Sequence, residues 1–167
     1  MIFKPKTHNH DLYNILLTLS RSIFFYKKIG LADTFETRIY LMFIHFSILM
    51  IITKKKGNKF DQDLYDNFFH NIENNLRELG FGDVSVNKKM KEFNKVLYDI
   101  LLKIESAKIG KEKFKINDKL VLKYFNQLKD PKNSKFIEFE SYFLSFFNFC
   151  FEIPLNNMIR EAINFKY

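Results

Sequence analysis

Four histidines, one cysteine and a glycine-bearing corner are the residues of this chain with types suited to chemistry. His8 and His10 stand two apart near the N-terminus, His45 lies inside an apolar stretch and His70 on a polar one. None has a neighbouring cysteine or carboxylate cluster of the kind a zinc site needs. His45 reads as a hydrogen-bonded core residue rather than a ligand. Cys150 sits among phenylalanines, which raise a thiol's pKa and leave it inert. As the one cysteine it excludes an intramolecular disulfide and a multi-cysteine metal site, and it suits a reducing compartment. The carboxylates Asp61 with Asp63, and Glu73 with Glu78, have no histidine or metal partner in the pattern and read as solvated faces. HExxH, GxGxxG, GxxxxGK[ST] and GxSxG are all missing from the sequence. The expectation is a binding protein with no enzyme activity, no metal and no cofactor. An enzymatic alternative requires a cleft that gathers Asp33, Arg38, His45 and Asp83.

The most specific stretch runs Leu76-Arg77-Glu78-Leu79-Gly80-Phe81-Gly82-Asp83-Val84-Ser85-Val86, followed by Lys88-Lys89-Met90-Lys91. Two glycines two apart predict a left-handed helix cap and then a tight, strained turn. Asp83 or Ser85 is placed to cap the next helix by accepting its free amides. Such a corner is either a plain helix–turn–helix joint or, with the lysines behind it, a place for an anion.

The elements that position these residues are helices. At 167 residues the chain is one domain, 47% hydrophobic and 28% charged, with five Gly and three Pro, too few for a turn-rich β-sandwich. The spacing predicts a first helix from Asp11 to Lys28 on Leu12, Leu16, Leu19 and Ile23, stopped by Gly30. A second, capped by Asp33 or Thr34, carries the apolar stretch to Thr53 and is the central helix that the others cover. Its apolar core from Ile39 to Ile52 spans ~21 Å, short of the ~30 Å hydrocarbon layer, and a buried helix is expected rather than a transmembrane one. A third helix, Asp61 to Leu79, repeats Leu64, Phe68, Ile72, Leu76 and Leu79. A fourth, Val86 to Lys108, repeats Met90, Phe93, Leu97, Ile100 and Ile104, with Lys88, Lys89, Lys91 and Lys95 off that stripe. Beyond Gly110 the pattern loosens. A fifth helix is expected from Asn117 to Lys129, a break at Asp130-Pro131, a sixth from Ser134 to Phe151 with phenylalanines on every side, and a last from Leu155 to Phe165. The fold class is all-α: a compact bundle of six to seven helices around an apolar central helix. Residues 1–167 form one helical domain, divided into a core at 11–108 and Phe-rich C-terminal helices at 109–167.

The order and spacing of several blocks resemble the ubiquinol–cytochrome c chaperone family, the bacterial relatives of mitochondrial cytochrome b assembly factors. The glycine corner matches from Leu76 to Lys91 and again at Tyr98. An Asp-Thr-x-x-x-Arg pattern before a histidine-bearing apolar helix matches Asp33, Thr34, Arg38 and His45, and the run Phe60 to Phe69 matches the segment that leads into the corner. The likeness covers Asp11 to Lys103. It departs from the family pattern at Ala32, where Pro is usual, at Asn87, where Gly is common, and at Asn71-Ile72-Glu73. The resemblance implies a non-enzymatic assembly chaperone of the cytochrome bc1 complex, respiratory complex III, whose client is newly made cytochrome b. It also implies a partner-binding set of Asp33, Arg38, His45, Arg77, Gly80, Gly82, Asp83, Ser85, Lys88, Lys91 and Tyr98.

The net charge of +8, with a pI near 9.4, favours an acidic partner such as a ribosome or an anionic membrane surface. An AT-rich codon bias accounts for the same skew. The alternative reading is a basic helical nucleic-acid- or ribosome-binding module, which requires cations gathered on one face and binding that falls steeply with salt. No DNA or small-molecule partner is expected. The expected location is the cytoplasm, either free or peripheral at the inner face of the plasma membrane. The 21 phenylalanines, several in the sixth helix, suit either core packing or an apolar surface for a client.

Overall fold

The computed structural model describes residues 12–106 and 114–167; His8, His10, the expected helix start at Asp11, the end of the fourth helix at Lys108 and Gly110 lie outside the described residues. Among the described residues there are seven α-helices and no strand: α1 Leu12–Ser20, α2 Phe35–Lys55, α3 Gln62–Glu78, α4 Asp83–Ser106, α5 Asp118–Tyr124, α6 Ser134–Glu152 and α7 Leu155–Ala162. The all-α bundle with an apolar helix at its middle is what the periodicity predicts.

α2 is that middle helix. Thr34 starts it, its hydroxyl oxygen accepting the Thr37 amide at 3.1 Å. Every residue from Leu41 to Leu49 is buried, because α1, α4 and α6 pack along it and α7 touches it. It is long and apolar enough to cross a membrane, yet 72% of its most apolar window is buried within the bundle. At the far end the Lys56 ammonium donates to the Ile153 carbonyl at 2.8 Å, tying α2 to the link between α6 and α7.

The first helix is shorter than its spacing predicts. The Tyr26 hydroxyl donates to the Ser20 carbonyl at 2.7 Å, taking the place of a helical amide. The chain then makes one wide π-type turn, Phe24–Lys28, in which the Ile29 amide reaches back to the Phe24 carbonyl. This added residue swings Ile23 outward, to 63% exposure, and carries Phe25 into the core against His45, Phe139, Tyr142 and Phe143. Gly30, at φ +80, then turns the chain into α2.

α3 and α4 bury the predicted stripes, Phe68, Ile72 and Leu76 on one and Phe93, Leu97, Ile100 and Ile104 on the other. Leu79 is the exception: it falls just past α3 and is 56% exposed. The fifth segment breaks early, as α5 followed by a 3₁₀ turn at Asn126–Leu128. α7 stops at Ala162 rather than Phe165, although Phe165 still packs on Tyr142 and Phe146. α6 answers the phenylalanine question. Phe136, Phe139, Phe143, Phe146 and Phe147 are buried, Phe149 is half-buried, and Phe151 alone among them is exposed. Phe143 and Phe146 meet His45 of α2 edge-on and Phe139 meets Phe143 the same way within α6, an arrangement that adds to their burial energy.

Candidate functional site

The corner between α3 and α4 is built by the chain ends of both helices. The Gly80 amide donates to the Arg77 carbonyl and the Phe81 amide to the Leu76 carbonyl, the paired bonds of a Schellman cap. Gly80 sits at φ +94, a left-handed conformation that glycine adopts without penalty. Gly82 is different. Its φ lies outside the left-handed region and a Cβ there would meet nothing within 4 Å, so the expected second strained glycine is not found.

Asp83 does not cap α4 either. α4 begins at Asp83 itself, three residues before the expected Val86, and the Val86 amide bonds to the Gly82 carbonyl. The Asp83 carboxylate turns instead to the Arg77 guanidinium, which also donates to Glu73 at 3.1 Å. Arg77 thus clasps the end of α3 to the start of α4. Ser85 is exposed in the first turn of α4. Lys89 stands 5.2 Å from the Phe81 ring centre and 3.7 Å from the Glu36 carboxylate, which fastens the corner to α2.

This corner continues into an open surface. Leu79, Phe81 and Val84 are exposed, Val84 at 85%, and further along α4 so are Lys88, Lys91 and Tyr98. Of the eleven residues singled out in the sequence, Arg77, Gly80, Gly82, Asp83, Ser85, Lys88, Lys91 and Tyr98 therefore fall on the α3–α4 corner and the outer side of α4. Asp33 and Arg38 sit at the start of α2, ion-paired at 2.8 Å.

His45 is in neither place. It is fully buried, its Nδ1 donating to the Leu41 carbonyl at 2.7 Å, so that Nε2 accepts from the Tyr142 hydroxyl at 2.9 Å. Burial pushes its pKa down to about 4, and it is a neutral core group with no route to a partner's surface. Burial also pushes the Cys150 thiol up to about 12, in keeping with an inert cysteine. The four residues of the enzymatic alternative do not gather. A small cavity of 160 Å³ beside α1 is lined by Arg38 but not by Asp33, His45 or Asp83.

A larger cavity of 420 Å³ opens at the opposite end of α2, floored by Phe60, Leu64, Leu155, Met158 and Ile159 and edged by Lys59 and Arg160. Residues that sequence reasoning missed include Tyr142, ninety-seven positions from its histidine partner, and Val84, Lys95 and Leu102 on the outer side of α4. The signal for those three was present, since they continue the three-and-four spacing of Lys88, Lys91 and Tyr98.

A family model described as Ubiquinol-cytochrome C chaperone matches residues 27–136. The match takes in the end of the wide turn after α1, all of α2 to α5, and the first residues of α6, and it runs past Lys103, where the motif-level likeness ends. The α7 wall of the larger cavity lies outside it. No curated protein and no solved structure matches the chain.

Proposed function

Since the chain belongs to the ubiquinol–cytochrome c chaperone family, which gives it a chaperone role in complex III assembly, we propose that it holds newly made cytochrome b until its partners arrive. The observation that carries this reading is the family match itself, laid over a corner where apolar side chains are exposed. The client is a membrane protein, and its chaperone needs an apolar surface to offer. The Phe-rich helix does not provide one, because α6 spends its rings on the core. The exposed Leu79, Phe81 and Val84 at the glycine corner do, next to the arginine clasp that holds the corner in shape.

The role proposed is non-enzymatic: binding, shielding and release. Deleting the gene in its native host should remove assembled complex III while the other respiratory complexes persist, and crosslinking in growing cells should recover cytochrome b with this chain. An unchanged level of complex III in the deletion strain sinks the proposal.

A further inference from the structure

The outer side of α4 carries a row of exposed residues, of which Tyr98 also hydrogen-bonds Tyr65 of α3. Val84, Lys88, Lys91, Lys95, Tyr98 and Leu102 follow at steps of four, three, four, three and four, which places them on one narrow strip of a helix. All six are exposed, with Tyr98 at 58% and Leu102 at 62%. The strip is about 27 Å long. Its three lysines form no ion pair among the described residues, whereas Lys89, one position off the strip, pairs with Glu36. Asp99 borders the strip but is occupied by Lys103, Lys123 and Tyr124. Glu92, exposed seven positions before Asp99 on the same border, makes no ion pair with the row.

We propose that this strip seats the chain on an anionic phospholipid bilayer. The lysines meet headgroup phosphates at the middle of the row, while Val84 at one end and Tyr98 with Leu102 at the other enter the interfacial layer. Three observations favour a lipid surface over other acidic partners. The strip runs along one side of a single helix, and neither described cavity is lined by any of its residues. Its cations are all lysines, whose long stems can lie along apolar surface while the ammonium stays at the phosphates. Its ends are apolar and aromatic, which suits the headgroup boundary and would gain nothing from the phosphate backbone of RNA. The arrangement places the chaperone beside the layer into which its client is inserted. The inference deepens that assembly role, but its test needs no client, so either can fail without the other.

The test is sedimentation of the purified full chain with vesicles of phosphatidylglycerol and phosphatidylcholine in equal parts, or of phosphatidylcholine alone, at low and high salt. Binding to the anionic vesicles that weakens with salt is expected, with none to the neutral ones. At roughly fivefold per surface lysine, the triple variant K88Q/K91Q/K95Q should lose about 100-fold in partition. V84S/L102S should weaken binding at both salt concentrations, and a control trio on other faces, K27Q/K119Q/K132Q, should change it by less than about threefold. All these positions are exposed, and circular dichroism checks that each variant keeps its helices. Equal loss in the control trio would reduce the effect to net charge and overturn the proposal. So would binding to neutral vesicles, or no binding to anionic ones. Tighter binding to single-stranded RNA that V84S/L102S leaves unchanged would assign the row to nucleic acid instead.

Discussion

The buried His45–Tyr142 pair makes the stability of this protein dependent on acidity in a way that can be worked out beforehand. In the folded chain His45 has a pKa near 4, because burial disfavours the imidazolium. In the unfolded chain it returns to about 6.5. Above pH 6.5 both states hold a neutral ring and the group contributes no pH dependence. As pH falls from 6.5 towards 4 the unfolded state takes up a proton that the folded state refuses, so stability drops by up to about 1.4 kcal/mol per pH unit. The loss is about 2 kcal/mol at pH 5 and about 3 kcal/mol by pH 4. The double variant His45→Leu/Tyr142→Phe removes both partners of the bond together, which leaves no unpaired polar atom and costs little at pH 7.5. The single variant Tyr142→Phe strands the Nε2 lone pair and costs about 1–3 kcal/mol there. Urea unfolding followed by circular dichroism at pH 7.5, 6 and 5 reads both effects. Carboxylates titrate in all three proteins alike, so the measured quantity is the difference between wild type and double variant. That difference should move in favour of the double variant by about 2 kcal/mol between pH 7.5 and 5. A difference that stays constant over this range refutes the reasoning, and shows that the ring titrates in the folded chain as it does in the unfolded one.

The two glycines of the corner should separate cleanly: Gly80→Ala, at φ +94, destabilises by about 1–2 kcal/mol, while Gly82→Ala, which has space and an ordinary φ, changes the urea midpoint little. Thr34→Ala removes the hydroxyl that caps α2 and should lower stability by about 1 kcal/mol in the same assay. Cys150 should stay unlabelled by a thiol-specific maleimide at pH 8 in the native protein and react only when urea unfolds the chain, since burial suppresses its thiolate. Rapid native labelling would mean that α6 opens on its own.

What could be read from the residues divides along the range of the interactions. α2 was legible because an apolar residue on nearly every face of a helix has few places to go but inward, whereas the same pattern in α6 left core and client surface both open. The cap of α2 was legible as Asp33 or Thr34, because a cap is a contact across two or three residues, whereas Asp61, read only as a solvated carboxylate, also caps α3. Where a side chain had two possible partners, the sequence could not choose. Asp83 had an amide to cap and an arginine six positions back, and the arginine took it. The first helix ended early for a similar reason, since Tyr26 offered the Ser20 carbonyl a hydroxyl in place of a backbone amide. The corner glycines show the same limit on the backbone side. The spacing Gly-x-Gly marks a turn, but which glycine takes the left-handed conformation follows from the Schellman bonds, and only Gly80 does. His45 was rightly read as a core group, yet its partner Tyr142 belongs to a helix made long after it.

That order of synthesis gives the central helix a further consequence. α2 leaves the ribosome with its apolar run, Ile39 to Ile52, before any residue of α4 or α6 exists to cover it. About 80 residues separate its end from the first buried ring of α6. At about 5–20 residues per second, the segment waits roughly 4–16 s for its α6 cover. During that interval it presents to the cell what a membrane anchor presents, interrupted only by His45 and Ser47 and followed by the three lysines from Lys54 to Lys56. A chaperone of complex III assembly thus begins its own life in need of cover.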